Sequence, residues 1–195
     1  PLVWGIHVAQ DSIYKNLSEL KGQKAAISRY GSGSHLMAYV NAMKLKWDTA
    51  SDLQFEVVKD LDGAVESLIS KESDYFMWEK FTTKPLVDQN IFRRLGDCPT
   101  PWPCFVIAVR DEFILNEKET LQNILKTINA ITSSFKEISQ IDRIISERYQ
   151  QKNEDVKAWL ELTEWSQKNI DPETVEAVQN QLLKLNIISE KWAYD

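Results

Sequence analysis

The stretch KAAISRYGSGSHLMAYVNAMK, Lys24–Lys44, decides the fold. Its first six residues, Lys24–Arg29, read as a strand without a breaker. From His35 to about Lys46, the spacing of Leu36, Tyr39, Val40 and Met43 follows a helix, with Ser34 as the expected N-cap. Between them stands Tyr30-Gly31-Ser32-Gly33-Ser34-His35. A strand that passes through glycines straight into a helix leaves backbone N–H groups free at the positive end of the helix dipole, where anions bind. Glycines also let a ligand approach the backbone. Ser32 and Ser34 add hydroxyls, and Arg29 adds charge. The other reading is a tight turn with a serine cap, and the residues alone weigh the two equally.

Two nucleotide motifs can be compared with this loop. The dinucleotide fingerprint G-x-G-x-x-G needs a third glycine for close helix–strand packing, and Leu36 stands there. Asp60, after the next strand, is placed as a ribose-binding acid would be. The phosphate loop is absent, since no G-K-[ST] follows.

Outward from the loop, residues 1–110 alternate strand-like and helix-like runs. LVWGIHV (Leu2–Val8), LQFEVVK (Leu53–Lys59), DYFMW (Asp74–Trp78) and CFVIAV (Cys104–Val109) read as strands, with IFRRL (Ile91–Leu95) as an edge strand. A short helix is expected from Asp11-Ser12 to Leu20, and another over Asp62–Ser70. This order predicts an α/β fold with a mainly parallel sheet flanked by helices. Residues 111–195 carry no strand signal and form an all-helical portion. Leu121, Ile124, Leu125, Ile128, Ile131, Phe135 and Ile138 make one apolar stripe, and Asp171-Pro172 starts a later helix. Such faces are expected to be covered.

Composition excludes several classes. The 43% hydrophobic and 27% charged content is that of a globular chain, and no apolar run nears the ~20 residues of a membrane helix, so direct membrane insertion is not expected. The net charge of −6 falls wholly in residues 111–195, and no basic stripe offers itself to nucleic acid. Cys98 and Cys104 suit free thiols better than a zinc site or a disulfide framework. The compartment is therefore open. The chain opens on Pro1 inside a strand-like run, without an initiating Met or a signal peptide, so the natural N-terminus is expected upstream.

A second candidate site is FMWEKFTTKP, Phe76–Pro85. Ligands of open α/β sheets sit beyond the carboxyl ends of strands. There Trp78 could stack on a flat ligand, Glu79 could accept from an amine, and Thr82 and Thr83 could donate; the plain reading is a core tryptophan and a solvated charge pair. CPTPWPCF (Cys98–Phe105) is stiffened by three prolines and either holds Trp102 at a cleft mouth or is a rigid connector. His7 and His35 stand far apart, no nucleophile elbow is present, and no catalytic residue is assigned.

Four pieces in order, PLVWGIHV, LKGQKAAISRYGSGSHLMAYV, SDYFMWEKFTTKPLVD and PTPWPCFVIAVRDEF, resemble the second lobe of the type II periplasmic-binding-protein fold. The nearest group is the nitrate/sulfonate/taurine solute-binding proteins with their thiamine-pyrimidine-precursor relatives. The resemblance spans residues 1 to about 115. It implies a 1–110 lobe bounded by strands that cross between lobes, a C-terminal helical portion over 111–195, and a first lobe that precedes Pro1. It implies one wall of a cleft, formed by Ser28, Tyr30, Gly31, Ser32, Gly33, Ser34 and His35, with Trp78 and Glu79 opposite. The function implied is binding of a small anionic or heteroaromatic ligand, with hinge motion near Val8 and Phe105 and no cofactor. The partner implied is the membrane component of an ABC transporter, in an extracytoplasmic compartment. The competing readings are an enzyme of thiamine-pyrimidine precursor metabolism, for whose cysteine-rich stretch only Cys104 stands here, and a nucleotide-binding fold.

Overall fold

The structure, a computed structural model, describes residues 2–193. The chain forms two compact units, one comprising the residues up to Trp102 and from Glu176 onward, the other Pro103–Val175.

The first unit is built on strands β1 (Val3–Ala9), β2 (Lys24–Ile27), β3 (Gln54–Val57), β4 (Tyr75–Glu79) and β5 (Phe92–Pro99), in the order β3-β2-β4-β1-β5. β2 pairs in parallel with β3 and β4, whereas β1 pairs antiparallel with β4 and β5. The sheet is thus mixed. Its parallel half follows from the crossover helices α1 (Gly33–Lys44) and α2 (Leu61–Ser70), each returning the chain to the same end of the sheet. A short helix, α3 (Lys84–Asp88), leads into β5, the edge strand anticipated at Ile91–Leu95.

Side-chain alternation covers both faces. On one, Ile6, Val8, Ala25, Tyr75 and Met77 pack with Met37, Ala38 and Val40 of α1. On the other, Ala9, Ala26, Phe76 and Phe92 pack with Ala64 and Leu68 of α2. The helix expected from Asp11-Ser12 is reduced to one 3-10 turn, Leu17–Leu20, capped by Asn16 and Glu19.

The second unit is helical: α4 (Asp111–Asn116), α5 (Lys118–Ser133), α6 (Ile141–Tyr149) and α7 (Asn153–Leu162), with α8 (Pro172–Lys184) starting in it. No strand occurs there among the described residues. The stripe on α5 is not covered, since Ile124, Ile128 and Ile131 are 45%, 36% and 54% exposed.

CFVIAV is not the buried strand that its composition predicts. Cys104–Val109 has neither helix nor strand, and Phe105, Val106 and Ile107 are exposed. An apolar run becomes a strand only where another strand offers it a ladder, and none does so here among the described residues. Cys98 and Cys104 are free thiols, and burial pushes the Cys98 thiol up from its ordinary pKa.

Candidate functional site

Parallel register sets the site. Ala25 pairs with Tyr75 and Ala26 with Phe76, so Ser28 and Trp78, each two residues further along, reach the same edge of the sheet. β1 enters from that edge, its Trp4 opposite Glu79 and its Gly5 opposite Trp78. This edge therefore gathers the end of β2, the end of β4 and the start of β1.

The loop from β2 to α1 is held by its own side chains. The N-cap is Ser32, not Ser34: the Ser32 Oγ accepts from the His35 N–H at 3.3 Å, and α1 begins at Gly33. Ser34 turns inward instead. Its Oγ accepts from the Ser28 N–H at 2.9 Å and lies 3.0 Å from the Ser32 Oγ. Ser28, Ser32 and Ser34 are buried, so these hydroxyls fix the loop's shape. Gly31 takes a left-handed φ of 75°, with open space where a Cβ would stand. Its N–H donates to His35 Nδ1 at 3.1 Å, so the neutral ring carries its proton on Nε2. Tyr30, Tyr39 and Phe55 surround His35 edge-on, with ring centres at 5.2, 5.1 and 4.7 Å. Burial lowers the His35 pKa from its ordinary value.

What the loop leaves open is backbone. The N–H groups of Gly33 and Ser34, in the first turn of α1, have no hydrogen-bond partner among the described residues. That turn holds no acidic side chain to neutralise the dipole.

The second predicted piece divides. Trp78 stacks on Phe76 on the α2 face, at 5.4 Å and 20°. Glu79 alternates to the other side, and its Oε2 accepts from the N–H groups of Phe81 and Thr82 and from the Thr82 hydroxyl, at 3.0, 2.7 and 2.9 Å. One carboxylate oxygen is thereby committed to the turn that follows β4. Thr83 is buried, its hydroxyl 3.0 Å from His7 Nε2. Burial above all, reinforced by the Arg94 charge, lowers the His7 pKa to about 4.

Trp4 joins the two pieces, and sequence reasoning missed it. A Cβ on Gly33 would meet Trp4 Cη2 at 2.8 Å, and the Trp4 ring lies edge-on to Trp78 at 6.1 Å. Gly33 is thus required by close packing. No local signal marks Trp4, since the glycine it packs against, Gly33, lies in a different element. Trp102, the candidate for a cleft mouth, packs against the α1-face core. Asp60 is the N-cap of α2, its Oδ1 accepting from the Gly63 N–H at 2.9 Å, which occupies the acid the dinucleotide reading needs. Among the described residues no cluster of His, Cys, Asp and Glu is arranged for a metal, and no helix is long and apolar enough to cross a membrane.

The mixed sheet, covered on both faces and with α1 starting at a glycine–serine loop, matches the periplasmic-binding-protein fold. Residues 4–98, just under half of the chain, match the family described as Ca3427-like PBP. The Candida albicans CA3427 gene product, described as defining a new family with the generic periplasmic-binding-protein fold, superposes with a TM-score of 0.87 at 25% identity over 97% of this chain and 64% of its own. The alkanesulfonate-binding protein SsuA from Xanthomonas axonopodis pv. citri, bound to MOPS, gives 0.74 at 12% identity over 96% and 66%. The ligand-binding component of an ABC-type import system from Staphylococcus aureus, with zinc bound, gives 0.71 at 14% identity over 100% and 66%. The chain thus spans about two thirds or less of the length of these structures. No curated protein matches it.

Proposed function

We propose that the chain forms one wall of a solute-binding cleft that closes on a small anionic or heteroaromatic ligand, a sulfonate or a thiamine-pyrimidine precursor. The observation that carries this reading is the pair of unpartnered N–H groups on Gly33 and Ser34 at the positive end of α1. They would hold the anionic group. Tyr30, which is 65% exposed, and the half-buried Trp78 would face the ligand's body. Ser28, Ser32, Ser34 and His35 act as the frame that holds the loop, and Glu79 keeps one oxygen for a polar ligand atom. In this reading residues 1–110 are the ligand-facing lobe, residues 111–195 the helical portion, and the hinge lies near Val8 and Phe105.

The likeness to a sulfonate-binding protein favours a sulfonate. The likeness to an importer's binding component favours a membrane transporter as partner and an extracytoplasmic location. Calorimetry with methanesulfonate, taurine and an aminopyrimidine thiamine precursor tests the proposal. Saturable binding of at least one is expected, and Gly33→Leu should abolish it by placing a side chain against Trp4. Heat changes that never saturate with all three compounds would refute it.

A further inference from the structure

Trp4 touches both candidate pieces from a third element. It stands at the start of β1, opposite Glu79 of β4, half-buried against the α1-face core. A Cβ on Gly33 would lie 2.8 Å from its Cη2 and 3.0 Å from its Cζ2, but 4.0 Å from its Cζ3. The ring therefore turns toward Gly33 the side that carries the indole nitrogen, since Cζ2 and Nε1 share one bonded neighbour. Its other ring contact is Trp78, edge-on at 6.1 Å and 71°.

The nitrogen itself is buried and has no hydrogen-bond partner among the described residues. A buried indole N–H normally finds an acceptor, and leaving it unpaired costs stability. The ring is thus not oriented by a hydrogen bond of its own. Packing orients it instead, with one edge against the first turn of α1 and the rest against Trp78. Protein interiors are dense enough that a shift of one such surface is passed to the next. The free N–H groups of Gly33 and Ser34 sit on that first turn, so their direction depends on where Trp4 stops it.

We propose that Trp4 is the positioning residue of the anion position: its indole edge sets where the Gly33 and Ser34 N–H groups point, and ties that direction to the Trp78 wall. The inference rests on the strand-end reading above and adds to it the residue that makes two distant pieces one site. It accounts for the glycine, because a side chain at position 33 pushes the turn off the ring. It also accounts for the unpaired indole donor, because the orientation that serves the turn leaves that donor without an acceptor.

Proton–nitrogen NMR of amides and indoles during titration with methanesulfonate tests it on the wild type, Trp4→Phe, Gly33→Ala and the double variant, with melting curves as folding controls. In the wild type the Trp4 Nε1–H resonance, assigned through its own backbone, should shift with the same midpoint as the Gly33 and Ser34 amides. Each single variant should weaken binding about tenfold, and the double variant should recover most of that loss, because the added methyl group fills the space that the smaller ring vacates. Gly33 and Ser34 amides that shift while the Trp4 indole stays still, or a double variant no better than the weaker single one, would overturn the inference and leave the strand-end reading standing. Gly33 and Ser34 amides that do not move in the wild type would overturn both.

Discussion

Two strand-to-helix junctions of the same sheet solve one problem in opposite ways. β2 passes into α1 through residues 28–32, and β3 into α2 through residues 58–60. Each junction uses one left-handed residue, Gly31 at φ 75° and Lys59 at φ 70°. Each helix is capped by a side-chain oxygen. At α2 that oxygen belongs to Asp60, with Asp62 beside it in the first turn, so the positive end of the helix carries its own anion. At α1 the cap is the neutral Ser32, no acid follows, and the Gly33 and Ser34 N–H groups stay unpaired. The same device is complete in one place and open in the other. The open one lies at the edge where Trp4 and Trp78 meet.

The largest effect expected is at the closed junction. A Cβ at Gly63 would stand 2.0 Å from the Val58 carbonyl oxygen, a backbone atom that cannot swing away. Gly63→Ala should cost about 3–4 kcal/mol, near the top of the range for single substitutions, as read from denaturant midpoints. A small loss would mean that α2 can shift, and that its junction is less fixed than that of α1.

The next effect is on the pH dependence of stability, through the buried His7, beside Phe92 and Thr83, and through His35 at the open junction. His7, with a folded pKa of about 4 against an ordinary 6.5, stays neutral in the fold while the unfolded chain takes up a proton first. Its contribution is complete above about pH 6.5, is lost as the pH falls toward 4, and changes no further below that. The loss is about 3 kcal/mol, from a difference of roughly 2.5 pKa units. His35 acts in the same direction, since burial also lowers its pKa. Denaturant titrations across this window should give stability rising with pH, with a shallower rise in His7→Gln.

The left-handed residues give the smaller test. Gly31→Ala, with free space for its Cβ, should cost about 1 kcal/mol, and Lys59→Gly should gain a similar or smaller amount, from backbone strain alone. Changes far beyond this in Gly31→Ala would show that the loop touches more than the backbone geometry reveals.

How much was legible in the sequence follows the same division. Local signals were sufficient where local chemistry decides: the strand at Lys24–Ile27, the helix behind the glycine loop, and the strand expected over Asp74–Trp78 and found at Tyr75–Glu79. The cap was misplaced by two residues, because Ser32 and Ser34 are equally good caps by type and only the pairing of Ser34 with the Ser28 N–H distinguishes them. CFVIAV was misread because a strand is a property of its neighbours as much as of its own residues. Trp4 was out of reach, since it meets Gly33 through a contact between segments distant in the sequence.

The central claim is that α1 offers an open anion position where α2 has filled its own. Amide proton–nitrogen NMR during titration with methanesulfonate tests this most directly, on the wild type, Ser32→Asp and Asp60→Ser. The account predicts saturable shifts at the Gly33 and Ser34 amides in the wild type and in Asp60→Ser. In Ser32→Asp the same shifts should vanish, because a carboxylate would then occupy the α1 terminus as Asp60 occupies that of α2. Unmoved Gly33 and Ser34 amides in the wild type, or an undiminished response in Ser32→Asp, would contradict it.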